Sequence, residues 1–289
     1  MKKIKILILI LSSVFFIQAK SQTKSYLPEQ RLRTVVLLEK KLDSVYIPHG
    51  TGFLMLSYDE NKPLVIVTNE HILRNKYIYI TVPVDSMFIK YMNENNFKGI
   101  TMRNQEWEFI GNKIRLQYEL IPDSTFVYNK ELDIAAFKIN MGNSYELDDS
   151  TELQISNVSG IGVTAVKYKK DIQLGTEIFF IGFPFAIGTE HGWAYNGSFT
   201  KLFSESIPTP LVRRGIVAWS SSNYDLFLLD AFSYNGNSGS PVFTQSDMQN
   251  KSYLIGIVAG HLPSDKSDNV GLARCIWVDH IMELIKKLK

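Results

Sequence analysis

Short runs of β-branched and aromatic residues, each closed off by turn formers, constrain the fold of this chain more than any other feature. Phe53–Leu56, Leu64–Val67, Tyr77–Val82 and Asp133–Ile139 are such runs in the first half. Glu177–Ile181, Ile216–Ser220, Leu226–Asp230, Gly239–Phe243 and Leu254–Val258 repeat the pattern in the second. They are strand-length, and their side chains suit a pleated, buried surface, so an all-β protein is predicted. Met141 to Gly160 separates the two sets, is rich in Asn, Asp, Ser and Gly, and reads as a linker. Past Trp277 the period changes. Val278, Ile281, Met282, Ile285 and Leu288 fall at helical spacing, with Asp279 in the first turn and Lys286 and Lys287 in the last, which predicts a helix over about 278–288. With 289 residues, 45% of them hydrophobic, the chain can bury a large core.

Chemistry concentrates in Gly236-Asn237-Ser238-Gly239-Ser240-Pro241, a serine flanked by residues that let the backbone turn tightly ahead of an apolar strand. Main-chain N–H groups can converge beside such a hydroxyl while a carbonyl approaches. A hydroxyl is a weak nucleophile until a base takes its proton, so a histidine and a carboxylate are required elsewhere. His71 follows the apolar run Leu64–Val67 through Thr68-Asn69-Glu70, and Asp133 opens Ile134-Ala135-Ala136-Phe137. Singly, each has a plain structural reading: a packed or capping histidine, a turn aspartate, a Gly-Asn-Ser-Gly turn.

Together, and in the order His, Asp, Ser, these motifs resemble those of the trypsin-like (chymotrypsin-fold) serine peptidases. The bacterial branch of HtrA-like and glutamyl-endopeptidase-like enzymes is the nearest in pattern. Gly50-Thr51-Gly52-Phe53, Leu174-Gly175-Thr176-Glu177, Ile181-Gly182-Phe183-Pro184, Arg214-Gly215-Ile216-Val217 and Asp230-Ala231 add secondary matches, so the likeness runs from about Val35 to Ile276. The resemblance implies two six-stranded antiparallel β-barrels, over about 30–140 and 161–276, joined by the linker at 141–160 and followed by the C-terminal helix. It implies Ser238 as nucleophile, His71 as general base and Asp133 as the residue that orients the imidazole. The N–H groups of Gly236 and Ser238 would form the oxyanion hole, with neither metal nor cofactor. No peptide-binding PDZ domain is expected after the helix.

For the primary substrate pocket the resemblance points to Phe232, Ser233, Val258, Ala259 and Gly260. Phe232 stands where trypsin-like enzymes that cut after Lys or Arg carry an aspartate. Val258 stands where glutamyl endopeptidases carry a histidine. The expected first subsite is therefore apolar, with polypeptides as substrates, and His261 is left as a loop histidine. An inert peptide-binding protein of the same fold is the other reading. An α/β-hydrolase is disfavoured because Ser240 replaces the last glycine of Gly-x-Ser-x-Gly and no strand–helix alternation surrounds it.

The N-terminus reads as a targeting segment. Lys2, Lys3 and Lys5 precede the apolar stretch Ile4 to Ile17, and Ala19-Lys20-Ser21 offers small residues for a signal peptidase. Residues 1–21 are expected to be removed, leaving a peptidase domain over 22–289, exported to the periplasm or secreted from a bacterium without a membrane anchor. Removal takes four lysines and no acid, turning the formal net charge from +2 to −2. Lysines and arginines are otherwise interspersed with acids, so no nucleic-acid surface is expected. Cys275, the single cysteine, allows no internal disulfide and reads as a buried thiol between Ala273, Ile276 and Trp277. His49 precedes a glycine turn, His191 lies in a polar loop and His280 on the helix, a spacing that suits no shared metal.

Overall fold

The computed structural model describes residues 29–43, 45–56, 64–74, 77–83, 105–110, 113–120, 126–139, 145–146, 152–153, 160–184, 193–195, 198–200, 210–247, 251–263 and 269–288. The segment read as a signal peptide, most of the linker and His191 lie outside the described residues.

Eight strands of the first half form one antiparallel sheet: β1 (Val35–Leu42), β2 (Val45–Leu56), β3 (Leu64–Thr68), β4 (Tyr77–Pro83), β5 (Gln105–Ile110), β6 (Lys113–Glu119), β7 (Phe126–Asn129) and β8 (Ile134–Ile139). Their order is β5-β6-β4-β1-β2-β3-β8-β7, and the sheet curls into a half-barrel. Two short ribbons follow the same antiparallel rule, β9 (Tyr145–Glu146) with β10 (Glu152–Leu153), and β12 (Trp193–Tyr195) with β13 (Ser198–Thr200). In the second half β11 (Glu177–Gly182), β14 (Leu211–Ser220), β15 (Leu226–Asp230), β16 (Pro241–Thr244), β17 (Leu254–Pro263) and β18 (Asn269–Trp277) close a barrel in the order β11-β14-β15-β18-β17-β16. Helix α1 (Val278–Ile285) follows. This is the all-β double-barrel arrangement expected, with six strands in the second barrel. The first has eight and stays open among the described residues.

Alternation explains the packing: the first sheet buries an apolar face of its own, with Val36, Leu38, Leu54, Ile66, Ile80 and Phe137, and two further cores stand beside it. One is the lumen of the second barrel, filled by Ile178, Phe180, Val217, Phe227, Leu229, Val242, Ile255, Val258, Ala273, Cys275 and Trp277. Phe227 and Trp277 stack there with centroids 3.9 Å apart. The other core lies between the halves and joins Val35, Phe53, Val67 and Ile134 to Ile181, Phe243, Ile257 and Ile276. Because β16 and β17 have one face in each core, they read as continuous apolar runs rather than alternating ones. Val278, Ile281, Met282, Leu284 and Ile285 of α1 are buried in the second core as well, so the helix grips both halves.

Candidate active site

The turn before β8 sets the position of Asp133. The β7–β8 hairpin closes with Asn129 opposite Ile134, and the Asn129 side-chain oxygen accepts the N–H groups of Glu131 at 3.0 Å and Leu132 at 3.1 Å. Asp133 leaves the turn with φ of 55°, a left-handed conformation that aspartate tolerates better than most residues. The strand therefore starts at Ile134, one residue later than the sequence pattern suggests. The carboxylate faces the end of β3, where a short 3-10 turn, Glu70–Leu73, carries His71. Asp133 Oδ1 accepts the His71 backbone N–H at 3.0 Å, and His71 Nδ1 lies 2.8 Å from Oδ2 and 3.0 Å from Oδ1. A carboxylate accepts, so this contact puts the ring proton on Nδ1 and leaves Nε2 with a free lone pair. Buried Asn69 steadies the pair by donating from Nδ2 to the Asp133 carbonyl at 2.7 Å.

Ser238 lies in the loop from β15 to β16. Asn237 N–H donates to Tyr234 O and Ser240 N–H to Asn237 O, both at 2.9 Å, which gives the tight turn that the flanking glycines predict. Gly236 has φ of 95° and Gly239 φ of 89°, and both need glycine. The loop is tied to the barrel by Gly239 N–H to Val258 O and Val258 N–H to Ser240 O, each 2.9 Å. It is tied to the first half by Thr51, whose N–H donates to Ser238 O at 2.9 Å and whose hydroxyl donates to Gly236 O at 2.7 Å. Among the described residues, the N–H groups of Gly236 and Ser238 donate to no other backbone group. Thus His71 and Asp133 meet directly, and the Ser238 backbone is tied to Thr51 of β2, which Thr68 at the end of β3 bonds in turn.

The residues expected around the pocket divide by side chain. Phe232 is 54% exposed and seats its ring over Gly271, where a Cβ would lie 3.4 Å from it. Phe232 stacks on Tyr234, which lies under the Arg213 guanidinium at 4.6 Å. Ser233 is buried, and a side chain at Gly260 would meet open space. Val258 offers no side chain to this surface, because the alternation of β17 turns it into the barrel lumen. Ala259, on the opposite face, packs between the halves. His261 is half-buried on β17, opposite Ala273, rather than on a loop.

Three neighbours of the site escape a motif reading. Thr51 and Thr68 are fully buried, and Thr68 Oγ1 donates to Thr51 O at 2.7 Å. Thr51 stands in the Gly50–Phe53 run, which lies inside β2, and Thr68 ends β3 and opens the stretch that leads to His71. His49 is also in β2. Leu38 faces Gly50 and Glu39 faces Pro48, leaving His49 as the bulged residue. Burial first, then the charges of Lys40 and His71, hold its pKa below the usual imidazole value. Cys275 is fully buried and its thiol is pushed well up by burial, against the smaller opposite effect of Arg274, so it is no nucleophile. Among the described residues, no group of three or more His, Cys, Asp and Glu side chains could hold a metal.

A family model described as the trypsin-like peptidase domain matches residues 50–257, which include His71, Asp133 and Ser238. No curated protein matches the chain.

Proposed function

We propose, for a chain that belongs to the trypsin-like peptidase family, that it is a serine endopeptidase working through Ser238, His71 and Asp133. The observation that carries the proposal is the bidentate approach of Asp133 to His71 Nδ1, at 2.8 Å and 3.0 Å, which in the neutral ring selects the Nδ1–H tautomer and turns Nε2 into the acceptor, at a ring 34% exposed. Ser238 Oγ attacks the peptide carbonyl while Nε2 takes its proton, and Asp133 holds the tautomer and stabilises the imidazolium. The N–H groups of Gly236 and Ser238 receive the oxyanion, the imidazolium gives its proton to the leaving amine as the C–N bond breaks, and water activated by the same imidazole hydrolyses the acyl-enzyme. Loss of one such N–H donor in related sites costs about 10²–10³ in rate. Phe232, half-exposed beside the nucleophile loop, supports a broad preference for apolar residues, since apolar pockets discriminate by only about 1–3 kcal/mol per methylene. The lysine-led apolar segment at 1–21 supports export.

The test is labelling by a fluorophosphonate probe together with casein cleavage. Ser238→Ala, His71→Ala and Asp133→Asn are each expected to lower kcat/KM by at least about 10⁴-fold with the fold intact, and double variants to be scarcely worse than the worse single one. Activity should fall with decreasing pH, because a protonated His71 cannot accept the serine proton. Wild-type protein that neither labels nor cleaves would instead be an inert peptide binder. Full activity in Ser238→Ala would remove the assignment.

A further inference from the structure

One residue of the first half holds the carbonyls of both residues whose N–H groups are proposed to face the oxyanion. From this geometry we infer that Thr51 is the positioning residue of the nucleophile loop; the inference rests on the serine-peptidase reading above. Thr51 N–H donates to Ser238 O at 2.9 Å and Thr51 Oγ1 donates to Gly236 O at 2.7 Å. The direction of the second bond is forced. Phe183 N–H, which can only donate, reaches the same Oγ1 at 3.0 Å, so the hydroxyl proton points at the Gly236 carbonyl. The hydroxyl thereby gives its single proton and receives one bond at a fully buried site.

The surroundings leave it little freedom. A Cβ on Gly182 would lie 3.1 Å from Thr51 Oγ1, so β11 presses backbone against the hydroxyl. A Cβ on Gly239 would lie 1.8 Å from Thr51 O, so the nucleophile loop presses against its carbonyl. That carbonyl accepts from Thr68 Oγ1 at 2.7 Å, and Thr68 lies three residues before His71. One residue therefore fixes the planes of the peptides that follow Gly236 and Ser238, and links them to the strand that delivers the base. The Gly236 and Ser238 N–H groups lie in the preceding peptides, joined to these planes at the Gly236 and Ser238 α-carbons, so Thr51 restrains the donors through one backbone joint each. Restrained donors stabilise charge that develops only in the transition state, so the effect of Thr51 belongs in kcat rather than KM.

The experiment compares Thr51→Val, which keeps the shape and removes the hydroxyl, with Thr51→Ser, which restores it. Thr51→Val should lower kcat about 10–100-fold, below the loss of a whole oxyanion donor, with KM within about twofold. Thr51→Ser should return kcat to within about threefold of wild type, and the acid limb of the pH profile should not move in either variant, because the His71–Asp133 contact is untouched. If Thr51→Val does not fold, Thr51→Cys carries the test: its weak S–H donor should give a kcat between those of the serine variant and a hydroxyl-free site. Wild-type labelling by the phosphonate is read alongside. If wild type labels and Thr51→Val, or Thr51→Cys in its place, turns over at the wild-type rate, or Thr51→Ser fails to rescue, the role of Thr51 is overturned and the serine-peptidase reading stands. A rise in KM alone overturns it too. If wild type does not label, the serine-peptidase reading falls and this role falls with it.

Discussion

The second barrel fills its lumen with Ile178, Phe180, Phe227, Val258, Trp277 and their apolar neighbours, whereas the first sheet buries an ion pair in addition to apolar residues such as Val36, Leu54, Ile66 and Phe137. Arg115 donates from Nε to Glu39 Oε2 at 2.8 Å and from Nη2 to Oε1 at 3.0 Å, Thr81 Oγ1 donates to the same carboxylate at 2.6 Å, and the guanidinium lies 3.8 Å from the Tyr46 ring centroid. The difference follows from closure. In the barrel every strand has two bonded neighbours, so the frame is complete without side chains. The open sheet ends at β5 and β7 and is fixed at chosen points by polar contacts. The two sides of the candidate site inherit this. Ser238 hangs from a closed frame, while Asp133 sits beside an edge strand and depends on Asn129 and Asn69 to hold its turn.

The largest expected effect strikes where the two regions meet. Gly239→Ala would place a methyl group 1.8 Å from Thr51 O at a φ of 89°, so the nucleophile loop and β2 must part. Nearly all activity should vanish and stability should fall by more than about 4 kcal/mol, as measured by equilibrium denaturation. A fully active alanine variant would mean the halves are not joined there. Next comes the polar interior. Arg115→Leu strands a buried carboxylate and should cost about 3–5 kcal/mol, while adding Glu39→Leu should restore most of it. Phe227→Ala in the apolar lumen should cost a similar amount, about 3–5 kcal/mol, but no second substitution of a partner should restore it. If both regions responded alike to paired replacement, the contrast between them would be lost.

The smallest effect concerns pH. The pKa of His49 is lowered in the folded state, so between that value and the ordinary imidazole value of about 6.5 the unfolded chain binds more protons than the folded one. Stability from this group is fully present above about pH 6.5 and is lost as pH falls through the folded value. His49→Gln should flatten the acid side of a plot of Tm against pH without changing Tm above neutrality. An unaltered slope would mean that burial, with the smaller effects of Lys40 and His71, does not hold the His49 imidazole down.

Legibility in the sequence follows burial only in part, since β1, with Val35–Leu38 buried, was not among the strands read from it. The Leu64, Glu177 and Leu226 runs became β3, β11 and β15 almost residue for residue, because both of their faces or one whole face meet a core. β5 and β6 passed unread because their apolar residues alternate with charges, Gln105-Glu106-Trp107-Glu108 and Lys113-Ile114-Arg115-Leu116, and continuous apolar runs are the wrong signal for them. β18 hid behind Gly271 and Arg274, and its partner β17 extends five residues past the apolar run. The motif residues of the site were readable because glycine, histidine and aspartate stand in unusual company. Thr51 was not readable as a link, because nothing local to a threonine records a bond to a carbonyl 185 residues away. His49 was read as lying at a glycine turn, since a bulge depends on the facing strand and leaves no mark in its own sequence.

Helix α1 belongs by connectivity to the second barrel, yet it packs on β7 and β8 as well, beside the hairpin that carries Asp133. Chain order then acquires a meaning in time. A growing polypeptide emits His71 and Asp133, the proposed base and its carboxylate, first, Ser238, the proposed nucleophile, about a hundred residues later, and the clasp that holds one half to the other only after all three. The candidate residues are made before this helix, so a partly synthesised chain carries all three of them without the piece that braces its two sides.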